Sequence, residues 1–163
     1  MIIFINGSIN SGKSTVASLL AAELGHAALV EIDALRAMIG WMPLEQSIPI
    51  NLENAALLIR SFAEQGMHVI VPYPLSKKNH DFMLSRLEGI AALVRVFTLA
   101  PRLEKALADR EARKLTEQER ARIAHHYEIC IHAPDFGTII DNSDQTPAQT
   151  LRAIMEKIDI HER

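Results

Sequence analysis

The chain has 163 residues, 48% of them hydrophobic and 23% charged, with a net charge of −3. Such a composition fits one soluble globular domain with a sizeable core and gives no basic footprint for duplex nucleic acid. The single Cys130 excludes an intramolecular disulfide and a cysteine metal cluster.

The first predicted element is a strand over "MIIFIN", an isoleucine-rich run of the kind a buried parallel strand needs. It has no basic n-region and is interrupted at once by Asn6 and Gly7, so a secretory signal is not expected. No apolar run approaches transmembrane length, and a cytoplasmic protein without membrane partners is expected. "GSINSGKST" follows, with Gly7, Gly12, Lys13 and Ser14 in the places of G-x-x-x-x-G-K-[ST]. In such a loop, glycines let several backbone N–H groups converge on one anion. Lysine reaches the β- and γ-phosphates and the hydroxyl holds Mg²⁺. The expected phosphate contacts are therefore Gly7, Asn10, Ser11, Gly12, Lys13, Ser14 and Thr15, at the N-terminus of a helix over Ser14–Leu24 that stops at Gly25.

A second strand, "AALVEI", leads to "EIDALR". Asp33 at its end has three roles open: accepting a proton from a substrate hydroxyl, holding Mg²⁺ through water, or capping the next helix. Arg36 lies one turn on, on the same face, and suits an anionic or polar substrate group. A helix is predicted over Ala34–Gly40. Trp41, the only tryptophan, is either a core anchor or a flap over substrate. A helix over Leu52–Gln65 precedes the strand "MHVIVPY", after which the acidic residue of a hydrolytic ATPase is missing. Tyr73 and Pro74 are candidate pocket walls there. Lys77 and Lys78 read as the solvated start of a helix over Lys78–Leu87.

The fourth strand, "ALVRVFTLA", is followed by a helix predicted over Leu103–Arg113 and another over Glu117–Ile131, opened by the capping box "TEQE". Arg110 and Arg113 share a helix face, either as a solvated charged surface or as a lid whose arginines meet the transferring phosphoryl group and the nucleotide. His125 and His126 have no carboxylate or cysteine at metal spacing and read as surface or packing residues. Cys130 reads as a small core or interface residue. The fifth strand, "GTIID", runs into "DNSDQTP", where Asn142 lies in a loop placed to receive an adenine ring. A proline-opened helix over Pro147–Ile158 closes the series. Alternating strands and helices predict a three-layer α/β/α fold with a parallel sheet and ligands at the carboxyl ends of the strands.

Taken together, "GSINSGKST", "EIDALR", "DREAR" and "IIDNSDQTP" resemble the P-loop small-molecule kinases, the group of the nucleoside-monophosphate, shikimate, gluconate and adenylylsulfate kinases. The opening and "EIDALR" are also similar to chloramphenicol phosphotransferases. The resemblance spans nearly the whole chain, although only the phosphate loop is specific. It implies one domain over residues 1–163, a five-stranded sheet of order 2-3-1-4-5 and a small helical lid near residues 110–122. It also implies ATP with Mg²⁺ as cofactor, Ser14 and Asp33 toward the metal, and Lys13, Asp33, Arg110 and Arg113 in catalysis. A hydroxyl-bearing small molecule would be received by Asp33, Arg36, Trp41 and Tyr73. Two departures stand out. "VPYPLS" replaces the glycine triplet of shikimate kinases, and Asp33 alone replaces the acidic run of adenylylsulfate kinases. The other classes left open are an ATP- or GTP-hydrolysing protein and a nucleotide-binding module without turnover.

Overall fold

The computed structural model describes residues 1–109 and 114–159. Five strands form the sheet: β1 (Ile2–Gly7), β2 (Ala27–Leu29), β3 (His68–Pro72), β4 (Val94–Leu99) and β5 (Thr138–Ile140). They pair in parallel in the order β2-β3-β1-β4-β5, as the resemblance implies. The helices are α1 (Lys13–Leu24), α2 (Ile32–Ala37), α3 (Leu44–Glu64), α4 (Lys77–Arg86), α5 (Leu103–Ala106), α6 (Glu117–Glu128) and α7 (Pro147–Asp159).

The central strand explains the layering. Successive side chains of β1 point to opposite faces, so Ile2 and Phe4 pack with Leu52, Ile59 and Met83 on one side. Ile3 and Ile5 pack with Val16, Leu20 and Ile154 on the other. β1 is apolar on both faces because helices cover both.

Several predicted boundaries move. Strand β2 ends at Leu29, and Glu31 holds the N-cap position of α2, which spans Ile32–Ala37 rather than Ala34–Gly40, so Asp33 stands in the first helical turn. It therefore does not cap the helix. Helix α3 begins at Leu44 rather than at the predicted Leu52 and runs through Pro49. The buried residues Ser47, Asn51, Leu52, Ala55 and Ile59 hold it together, and Ser47 Oγ donates to Leu44 O at 2.8 Å beside the site of the missing amide. Helix α5 stops at Ala106, well short of the predicted Arg113. Asn10 Nδ2 donates to Ala106 O and Ala108 O, and Arg120 Nη1 to Leu107 O, so side chains from elsewhere take the carbonyls that a longer helix would use. Helix α6 carries the predicted capping box at Thr116 and Glu119 but ends at Glu128. Cys130 beyond it adopts φ 58° and is exposed, which excludes the core reading.

One buried side chain ties the layers together beneath the phosphate loop. Asn6, fully buried, accepts from Leu75 N at 2.7 Å and donates to Thr98 Oγ1 at 3.0 Å and Ile131 O at 3.2 Å. Asn6→Leu would leave those groups buried without partners, at about 1–3 kcal/mol for each orphan. A destabilisation of roughly 3 kcal/mol and a fall in Tm of about 6–12 °C are expected, read by calorimetry.

Candidate active site

The phosphate loop connects β1 to α1 at the carboxyl end of the sheet. Gly7 (φ 140°) sits so close to its neighbours that a Cβ would lie 2.5 Å from Leu99 O and 2.7 Å from Ser11 Oγ. Gly12 (φ 95°) makes the last turn before the helix. Only glycine takes both positions without strain. Lys13 Nζ donates to Ser8 O at 2.6 Å, which folds the ammonium back over its own loop. The side chain of Asn10 is committed to Ala106 O and Ala108 O, which leaves its backbone, at φ 62°, as the part that shapes the loop. Ser11 Oγ is buried with no hydrogen-bond partner among the described residues.

A cavity of about 1010 Å³ opens above this loop. Gly12, Lys13, Ser14 and Thr15 line it together with Asp33, Arg36, Pro72, Tyr73 and Pro74. Ile32, Leu44 and Ile48 add apolar surface. Of the predicted substrate and phosphate residues, Asp33, Arg36 and Tyr73 thus meet Asn10, Gly12, Lys13, Ser14 and Thr15 in one space, while Gly7, Ser11 and Trp41 do not line it. Trp41 is 81% exposed in the turn between α2 and α3, so it is not a core anchor. A second cavity of about 220 Å³ lies on the other side of the loop, lined by Asn10, Gly12, Pro101, Lys105, Asn142 and Thr150. Asn142 Nδ2 donates to Ser11 O at 2.9 Å, and its Oδ1 is buried without a partner among the described residues. Arg110 and Arg113 lie outside the described residues. Lys77 is paired with Asp81 at 2.8 Å in the first turn of α4, in line with a solvated helix start.

Two polar residues of the large cavity, His126 from α6 and Asn51 from α3, carry no site signal in the sequence, while Arg122, also from α6, reads with Arg120 either as a lid arginine or as part of a solvated charged face. The spacing of Arg122 matches a solvated charged face, and only the placement of α6 over the phosphate loop brings it inward. Its neighbour in sequence, Arg120, is instead held by Leu107 O and by Asp109 Oδ1 at 2.7 Å. Burial raises the pKa of Tyr73 above the usual phenol range, nearby Asp33 raises it further, and Arg122 opposes the shift. The phenol thus feels both the acid and the arginine.

His126 is 5% exposed, and its Nδ1 lies 3.3 Å from Ser8 Oγ. Burial, then Arg122, Lys13 and His125, push its pKa down from 6.5 to about 4. The neutral ring is therefore the folded form, and the unfolded chain binds the extra proton between those values. Stability is expected to be full above pH 6.5 and to fall by up to about 3 kcal/mol as pH drops to about 4. His126→Gln should flatten that part of the stability–pH curve, measured by urea unfolding at each pH.

No described helix is long and apolar enough to cross a membrane. No group of three or more His, Cys, Asp or Glu residues that could hold a metal ion occurs among the described residues.

No protein-family model matches the sequence, and a search of curated proteins found no match. Solved structures do match. A tunicamycin resistance protein from Deinococcus radiodurans is 22% identical, with a TM-score of 0.73 over 96% of this chain and 94% of that one. A gluconokinase from Sinorhizobium meliloti is 18% identical, with a TM-score of 0.68 over 99% and 97%. A shikimate kinase from Aquifex aeolicus is 18% identical, with a TM-score of 0.61 over 99% and 98%. At these identities the likeness carries the fold: the chain has the fold of the P-loop small-molecule kinases.

Proposed function

We infer that the protein is an ATP-dependent phosphotransferase that moves a γ-phosphoryl group to a hydroxyl of a small molecule. One observation carries this reading. A single cavity is lined both by the phosphate loop and by Asp33, Arg36 and Tyr73, which offers donor and acceptor places in one space. A hydrolase needs room only for water, and its acidic residue after β3 is replaced here by Pro72 and Tyr73.

The chain fits the nucleotide. Gly7 and Gly12 leave open the cradle that a Cβ would strain or fill, and the second cavity beside Asn142 has room and polar groups for a base. Bound ATP with Mg²⁺ would supply the phosphoryl group and neutralise part of its charge. Ser14 would offer its hydroxyl to the metal, and Asp33 would hold it through water. Lys13 would supply positive charge to the β- and γ-phosphates. Asp33 orients the acceptor hydroxyl and takes its proton, while Arg122 lies on the same cavity as a further positive group. Positioning and charge stabilisation are the main requirements of such a transfer.

The test is ATP turnover with and without a panel of small hydroxyl compounds. Acceptor-dependent turnover is expected. Turnover without an acceptor would make the protein a hydrolase, and nucleotide binding without turnover would make it a binding module.

A further inference from the structure

Two polar side chains that line the large cavity each have a buried atom with no hydrogen-bond partner among the described residues. Asn51, 3% exposed on α3, lines the cavity and has a buried Oδ1 with no hydrogen bond among the described residues. Arg36, near the end of α2, lines the same cavity, and its Nε is buried and equally unpartnered among the described residues. Native interiors rarely leave such atoms unsatisfied, and each costs roughly 1–3 kcal/mol until something pairs with it. Neither residue has a packing reason to be polar. Leucine is the commoner choice for a helix face like that of Asn51, which sits between the buried Ser47 and Leu52.

The two orphans ask for opposite things: Asn51 Oδ1 needs a donor and Arg36 Nε needs an acceptor. A carboxylate only accepts, so it would satisfy Arg36 and leave the Asn51 oxygen orphaned. A hydroxyl does both at one atom, and an amide does both with adjacent N–H and C=O groups. The apolar surface of Ile32, Leu44 and Ile48 suits a neutral ligand as well. We propose that Asn51 is a specificity-determining residue of the acceptor site, holding with Arg36 a second donor–acceptor group of a neutral polyol or sugar-like molecule. This rests on the reading that the cavity receives the phosphoryl acceptor. The hydroxyl to be phosphorylated then faces Asp33, and the second group faces Asn51 and Arg36. Discrimination against a ligand lacking that group follows from leaving both orphans unpaired.

The test is direct binding, by calorimetry, to the full chain. D-glucose, N-acetyl-D-glucosamine and uridine serve as neutral probes, and acetate and succinate, which carry no hydroxyl, as carboxylate probes. At least one neutral probe is expected to bind, and Asn51→Leu is expected to weaken it about tenfold or more. Asn51→Ser provides a second, smaller replacement, and nucleotide binding in the same samples reports that each variant is folded. Because the readout is binding, it separates this proposal from the kinase reading. Binding of a neutral probe through Asn51 without ATP turnover refutes the kinase reading and leaves Asn51 as the specificity-determining residue of a neutral-ligand site. No binding by any neutral probe, binding by the carboxylates alone, or neutral-probe binding unaltered by Asn51→Leu overturns it.

Discussion

Asp33→Asn is expected to keep nucleotide binding and to lose about 10²–10⁴-fold in acceptor-dependent turnover, the range for a positioned acid–base group. The substitution keeps the shape and a hydrogen-bond acceptor and removes only the charge. The capping reading would have predicted little change, since Asn caps a helix about as well as Asp. The structure removes that reading, because Glu31 holds the N-cap position and Asp33 lies in the first turn with its side chain on the cavity. What stability Asp33 adds comes from a carboxylate near a helix N-terminus, about 0.3–1 kcal/mol at an exposed site. A small change in Tm with a large loss of turnover is therefore the expected pair of results. Unchanged turnover would move the search for the catalytic acid to Glu31 and Glu45.

Lys13→Ala is expected to lower ATP turnover by about 10²-fold or more, the scale for removing one group that meets developing charge. The fold should survive. Lys13 is half-buried at the start of α1, and its Nζ donates to a loop carbonyl, Ser8 O, rather than packing into a core cluster. Steady-state turnover and a thermal melt on the same preparation check both halves of the expectation. Near-wild-type turnover would sink the phosphate-loop assignment.

The parts of the site that were legible in the sequence are those whose chemistry is local. The phosphate loop needs its glycines, lysine and hydroxyl at fixed spacing along one turn, and the isoleucines of β1 announce the strand before it. Asp33 and Arg36 were legible because one helical turn relates them. His126 and Asn51 were not legible, and Arg122 was legible only as one of two alternatives, a lid arginine or a solvated charge. Each sits on a helix whose own pattern reads as solvated or as packing, and only the crossing of that helix over the phosphate loop or the cavity gives it a site. Helix α5 was overextended because its carbonyls are claimed by Asn10, 96 and 98 residues away, and no local propensity contains that information. The early start of α3 was hidden by Pro49, whose cost is offset by burial along the rest of the helix. Trp41 was singled out by residue type, and in the structure its ring faces solvent. The lid arginines Arg110 and Arg113 lie outside the described residues, so their role rests on the resemblance alone.

The hydrogen bonds of Asn6 carry a consequence for biosynthesis. They span 69, 92 and 125 residues of chain. Contacts of such separation form late, because loop closure must come first. Strand β1 leaves the ribosome well before Ile131, and the floor beneath its phosphate loop is incomplete until that residue has followed. A growing chain that ends before that residue carries the whole loop sequence without the framework that holds it. Nucleotide binding should therefore switch on only when synthesis has passed α6, so a truncated product would neither sequester ATP nor be stabilised by it.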